Sequence, residues 1–170
     1  IFVNAITQVP YSFRSVQDTA LSLIVAEHGT KGKRKLSSKP FFIDFAPSSS
    51  SSLGRRVSGR DQSKDMLVRA VKPQDSVVWD LTAGFGHDAY LIAKAGARKV
   101  LMVERNPVVF ALLSDAIRRL GLLASEDADF ASLHDKLSCT FGNGISVSLT
   151  VDSHEERPDV IYLDPMFPSR

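Results

Sequence analysis

The chain has 170 residues, 44% of them hydrophobic and 24% charged. These proportions belong to a globular chain with a core of its own and exclude disordered and collagen-like classes. No apolar run approaches the ~18–20 residues that cross a bilayer, and the single cysteine, Cys139, excludes an internal disulfide and a cysteine-cluster metal site. That cysteine count fits a reducing, intracellular compartment: cytoplasm in a bacterium, mitochondrion or plastid in a eukaryote. The first residue is Ile1, so the start is expected to be processed or truncated, and no signal peptide is read from it.

The net charge of +2 is unevenly spread. Residues 31–72 carry eleven Lys and Arg against Asp44, Asp61 and Asp65, a net of +8. Residues 73–170 carry nine against fourteen Asp and Glu, a net of −5. A basic segment on a mildly acidic body fits a phosphate-rich partner, or equally a solvated linker. The expected division is therefore an N-terminal extension over 1–72, basic and partly mobile, and a body over 73–170.

In chain order, residues 16–27 read as a short helix ending near Gly29, followed by an exposed basic loop through Lys33, Arg34 and Lys35. Residues 41–45 read as a strand announced by Pro40. The serines at 48–52 offer too little apolar surface to pack and read as mobile. A helix is expected over 62–71. From Ser76 the pattern alternates: a strand at 77–79, a helix at 89–95 closed by Gly96, and a strand at 100–103. Asn106 and Pro107 then open a helix with a capping side chain and a proline at its first position. Val109, Leu112, Leu113 and Ile117 recur at helical spacing, and Gly121 can end that helix. After an acidic loop come strands at 137–141 and 160–163. Near-continuous apolar strands alternating with helices imply an α/β fold, a parallel sheet with helices on both faces. In such sheets ligands sit beyond the carboxyl ends of the strands.

Three strand ends carry candidate chemistry. The first runs from Asp80 through Thr82, Gly84, Phe85 and Gly86 to His87 and Asp88. Its glycines allow a tight turn against a ligand, or simply a strand-to-helix turn with none. The second ends at Glu104, twenty positions after Gly84. An acid there can accept both hydroxyls of a ribose, or it can be a surface acid beside Arg105. Gly84, Gly86 and Ala89 with Glu104 also satisfy a relaxed dinucleotide fingerprint, so an NAD-linked oxidoreductase is a rival. The longer loop, begun by a carboxylate, suits a ligand with an amino-acid tail better. The last strand ends at Asp164-Pro165-Met166-Phe167-Pro168. There the Asp164 side chain and the Pro165 carbonyl can accept hydrogen bonds from an exocyclic amine while Phe167 stacks on its base, a positioning effect with electrostatic help. Asp-Pro is also a common turn.

Together these elements resemble class I S-adenosylmethionine (SAM)-dependent methyltransferases. Asp80-x-Thr82-x-Gly84-x-Gly86 is similar to their first motif, with threonine where many members have glycine. Asp164-Pro165-Met166-Phe167 is similar to the Asp/Asn-Pro-Pro-aromatic motif of amino-group methyltransferases. The run from Glu104-Arg105-Asn106-Pro107 to Val109, with Tyr162 to Pro168 and the Arg55-Arg56 and Gly59-Arg60 pairs upstream, resembles the bacterial small-subunit rRNA guanine-N2 methyltransferases over roughly residues 40–168. The resemblance implies a Rossmann-like sheet whose C-terminal strands are missing here. It also implies SAM contacts from His87, Asp88, Glu104, Arg105, Asn143, Gly144 and Asp164. His87 replaces a usual arginine, and Asn143-Gly144 replaces a Ser-Ser pair. The implied activity is methyl transfer to a guanine amine of ribosomal RNA or a pre-ribosomal particle. Asp80, Gly84, Phe85 and Gly86 would seat the cofactor, and Asp164, Pro165 and Phe167 would place the base. Lys33, Arg34, Lys35, Arg55, Arg56 and Arg60 would grip phosphates. A non-catalytic assembly factor built on the same domain is the alternative. No metal or membrane is called for: His28, His134 and His154 have no ligand spacing.

Overall fold

A computed structural model describes residues 2–13, 16–28, 34–36, 40–46, 51–57, 62–150 and 157–165. The expectations placed on Lys33, Ser48, Gly59, Arg60, His154, Met166, Phe167 and Pro168 lie outside those residues. The alternation after Ser76 folds as read. Strands β4 (Val77–Asp80), β5 (Lys99–Glu104), β6 (Leu137–Phe141) and β7 (Val160–Tyr162) form a sheet of order β6-β5-β4-β7 with every neighbouring pair parallel. Val78, Val100, Met102 and Val103 are fully buried, as expected for strands covered by helices. The chain steps outward from β4 to β6 and then returns to β7 on the other side of β4. That reversal opens a crevice at the carboxyl ends of β4 and β7, where sheets of this kind bind ligands. β7 is an edge strand among the described residues, with Ile161 and Leu163 exposed.

Helices α1 (Ser52–Val57), α2 (Met66–Val71), α3 (His87–Lys94), α4 (Pro107–Leu123), α5 (Ala128–Lys136) and α6 (Gly144–Thr150) complete the described body. Ile43, Phe45, Leu53 and Val57 enter the same apolar cluster as Val78, Leu91 and Leu113, and Phe45 stacks on Tyr90 at 5.5 Å. Ile43, Phe45, Leu53 and Val57 thus share the core of the sheet. The buried Arg119 of α4 bonds Asp115 at 2.9 Å and the Ile43 carbonyl, while Asp115 accepts the Leu21 N–H at 2.9 Å. One buried ion pair therefore fastens the upstream chain to α4.

The upstream chain departs from the reading in two places. Residues 16–27 are not helical: β2 (Val16–His28) pairs antiparallel with β1 (Phe2–Phe13), and a short β3 (Arg34–Leu36) pairs with β2. The buried residues Ala20 and Ser22 lie two apart, a strand period, and the preceding strand β1 supplies the pairing partner. Residues 41–45 are not a strand either. Phe41 makes a single bridge to Leu23, the Ile43 carbonyl is taken by Arg119, and Asp44 turns the chain by accepting the Ala46 N–H. Their alternation reflects Ile43 and Phe45 pointing inward without a strand partner.

The end of the serine run is ordered: Ser51 Oγ accepts the Gly54 N–H at 2.8 Å and caps α1. The helix expected over 62–71 divides at Asp65, which caps α2 through the Leu67 N–H and follows a single 3-10 turn, Gln62–Lys64. Gly121 does not end α4, which continues to Leu123. A Cβ at Gly121 would meet His134 of α5 at 2.7 Å, so the glycine marks a close helix approach. The expected acidic loop contains α5, capped by Asp127.

Candidate active site

The segment after β4 turns back on itself because Gly84 and Gly86 adopt left-handed φ values of +52° and +71°. That turn brings the Gly84 N–H to Oε2 of Glu104 at 2.9 Å. The other carboxylate oxygen accepts the Asn106 N–H at 2.7 Å, and the Glu104 carbonyl accepts the Gly142 N–H at 3.0 Å. One buried residue at the end of β5 thus holds the ends of β4, β5 and β6 together. An ionised carboxylate offers about four acceptor positions, and the backbone uses two. Two remain for neighbouring hydroxyls of a ligand.

The crevice's other wall is tied to the same loop. Thr82 Oγ1 accepts the Asp164 N–H at 2.8 Å, and the Leu81 N–H bonds the Tyr162 carbonyl at 3.1 Å. Gly84, Glu104 and Asp164 therefore converge at one corner of the sheet, through Thr82 and Gly84. Beside them lies a hollow of about 650 Å³ between Arg56, Asp65 and Leu67 on one side and Asp88, Tyr162 and Asp164 on the other. Arg56 Nη1 donates to Asp88 at 2.6 Å, Arg56 Nε donates to Asp65 at 3.1 Å, and Tyr162 donates its hydroxyl to Asp88 at 2.9 Å. Burial, and then the hydrogen bond to Asp88, keep the Tyr162 phenol protonated well above its ordinary range.

Asp80 sits under this corner, 1% exposed, accepting the Thr82 N–H at 3.0 Å. Burial pushes its carboxyl up to about 7; the charges of Asp88 and Asp164 add to the rise, while hydrogen bonds from Thr82 oppose it. Between pH 4 and 7 the unfolded chain has lost this proton and the folded one still holds it. Stability attributable to Asp80 therefore falls as pH rises through that window and is level above it, by at most about 1.4 kcal/mol per unit. Asp80→Asn keeps an acceptor for Thr82 and removes the titration. The variant is expected to be about 2 kcal/mol more stable than the wild type at pH 8, with the gap closing towards pH 4 in thermal melts.

The remaining candidates are placed as follows. Asn143 follows β6 at the same edge, exposed, with its Oδ1 accepting the Ile145 N–H of α6 at 3.0 Å. Gly144 begins α6 and packs on Leu81. Arg105 and Pro165 are exposed. Phe85, 45% exposed, lies 4.9 Å from the ring of Phe41 and 6.4 Å from His87, whose imidazole burial makes less basic than usual. Arg55 is exposed on α1, whereas Arg56 points to Asp65 and Asp88. Arg34 and Lys35 lie in β3. Asp65 and Tyr162 were not among the candidates, because only the packing of β4 on β7 and of α2 on α3 joins them to the site. Among the described residues no group of three or more His, Cys, Asp or Glu could hold a metal, and no helix is long and apolar enough to cross a membrane.

Comparison with known proteins agrees with this geometry. The chain is 35% identical over 170 residues to a ribosomal RNA small subunit methyltransferase J of Neisseria meningitidis, covering 99% of this chain and 63% of that protein. It is 39% identical over 134 residues to the protein of that name in Thioalkalivibrio sulfidiphilus, covering 77% of this chain and 49% of the relative. The chain thus spans about half to two thirds of the length of the curated relatives it matches. A crystal structure of a SAM-dependent methyltransferase from Neisseria gonorrhoeae superposes with a TM-score of 0.65 at 26% identity, over 88% of this chain and 54% of that one. A family model described as putative SAM-dependent methyltransferase matches residues 7–170, and with the sheet order and the corner at Glu104 it establishes that the chain belongs to that family.

Proposed function

We propose that this chain transfers a methyl group from SAM to the exocyclic N2 amine of a guanine in small-subunit ribosomal RNA. One observation carries the reading: the Gly84 turn, the Glu104 carboxylate and the Asp164 corner meet at one end of the sheet. The relatives named for small-subunit rRNA supply the substrate class. The residues fit the cofactor, since Glu104 keeps two acceptor positions for the ribose hydroxyls and Asn143 stands at the adjacent strand end.

SAM supplies a methyl already activated on a sulfonium, so this chain needs to bind, orient and exclude water. An exocyclic guanine amine is a poor nucleophile because its lone pair is delocalised into the ring. Asp164 and the Pro165 carbonyl accept the amine's hydrogens and direct the nitrogen, and Phe167 stacks on the base. The Thr82 hydroxyl keeps the Asp164 main chain in place. In this reading residues 73–170 hold the cofactor, and basic positions within 1–72, among them Lys33, Arg34, Lys35, Arg55 and Arg60, hold phosphates. RNA binding through them weakens steeply with salt. The target base must be unstacked to reach Asp164, which favours a loop or an assembly intermediate.

Glu104→Gln is expected to weaken SAM binding on the order of tenfold, because an amide N–H₂ faces either a backbone N–H or a ribose hydroxyl that needs an acceptor. Isothermal calorimetry measures it. The function itself is tested by incubating the protein with methyl-labelled SAM and small-subunit rRNA lacking the modification, then digesting to nucleosides. Label in N2-methylguanosine is expected. Label on a ring nitrogen or ribose overturns the N2 assignment, and SAM binding without transfer favours the assembly factor.

A further inference from the structure

The hollow beside Asp164 has an unusual charge pattern for an RNA-facing surface. Among the described residues, Asp65, Asp88 and Asp164 border it with one cation, Arg56, and a phenol, Tyr162. A phosphate entering there meets more negative charge than positive. A neutral base can use Asp164 as an acceptor but leaves the charges of Arg56 and Asp65 unmatched. An amino-acid end matches it: the ammonium and the neighbouring sulfonium face carboxylates, and a single carboxylate faces the single guanidinium. Arg56 is also built for that partner. Among the described residues, its hydrogen bonds to Asp65 and Asp88 use three of its five N–H groups, leaving one on each terminal nitrogen. Asp65 and Asp88 grip the guanidinium from two elements, the N-cap of α2 and the first turn of α3, so its plane is fixed before a ligand arrives. Planar, paired donors suit a carboxylate. His87 is half-buried and, through that burial, less basic than an ordinary histidine. Among the described residues, the cation at this end of the site is Arg56.

We infer that Arg56 binds the α-carboxylate of the SAM methionine tail in the hollow, and that Asp65 and Asp88 orient it for this. The inference rests on the SAM reading above and assigns Arg56 to the cofactor instead of to RNA phosphate. Apolar contact comes from Leu67 along the hollow's wall, and Tyr162 keeps Asp88 aimed at Arg56 through its hydroxyl.

Calorimetry with two probes separates the possibilities. SAM carries the carboxylate; decarboxylated SAM keeps the adenosine, sulfonium and amine but lacks it. Arg56→Ala is expected to weaken SAM on the order of tenfold to a hundredfold and to leave decarboxylated SAM within about twofold. Arg56→Lys retains the charge between Asp65 and Asp88 without the paired donors, so it gives a smaller but still SAM-selective loss. It also serves if the alanine variant does not fold. Equal weakening of both probes by either variant, or no weakening of either, overturns the assignment. A wild-type protein that binds neither probe overturns the cofactor reading itself, and this assignment with it. A loss of rRNA affinity at unchanged SAM affinity assigns Arg56 to RNA and overturns the proposal.

Discussion

Asp164→Ala is expected to lower methyl transfer by two to three orders of magnitude while SAM affinity changes only a fewfold. The size follows from what the carboxylate does: it is a fixed acceptor at the reacting nitrogen, and removing one such group typically costs about 10²–10³ in rate. The selectivity follows from its setting. The Asp164 side chain is exposed, and the corner is held by the main-chain bond from its N–H to Thr82, which alanine preserves. Folding and cofactor binding therefore survive, and the loss is chemical. Single-turnover incorporation with saturating SAM, beside calorimetry on the same preparation, measures both. Equal incorporation by variant and wild type would refute the placement of the amine at Asp164.

Gly86→Ala is expected to destabilise the fold by about 4 kcal/mol, through two additive causes. The residue lies at φ +71°, where an L side chain is strained. A Cβ built there meets Leu113 Cδ1 and Phe45 Cζ at 2.8 Å and Met102 Sδ at 3.1 Å. Met102 and Leu113 are fully buried and Phe45 is 1% exposed, so none of them can move aside without disturbing the packing of α3 and α4 on the sheet. Gly84 has a similar φ, but a Cβ there would meet only the Thr82 carbonyl oxygen at 3.9 Å, an ordinary contact, so Gly84→Ala is the control for backbone strain alone. Urea unfolding of the three proteins separates the two causes. A Gly86 variant no weaker than the Gly84 variant would remove the packing argument.

The parallel sheet was legible because its two central strands are buried on both faces, and continuous apolar runs such as 77–79 and 100–103 have few other uses. The convergence of Gly84, Glu104 and Asp164 followed from the same fact, since every parallel strand delivers its last residue to one edge. The upstream chain was not legible in the same way. Residues 16–27 carry small and β-branched residues that suit either structure, and pairing with β1 decided it. Phe41 to Phe45 alternate like a strand, yet a buried arginine took the Ile43 carbonyl. The acidic residues near 127 read as solvent-facing because a cap and a first helical turn use the same side chains. Arg56 illustrates the limit most clearly: its neighbour Arg55 has the same composition context, and only the positions of Asp65 and Asp88 set the two arginines apart.

Glu104 links three loops through a single side chain and its own carbonyl. The loops are coupled, because each bonds a different oxygen of the one buried residue and a shift of Glu104 is felt by all three. A nucleoside engaging that carboxylate is felt at all three strand ends, so amide hydrogen exchange at Gly84, Asn106 and Gly142 should slow as one cooperative unit when adenosine alone is added.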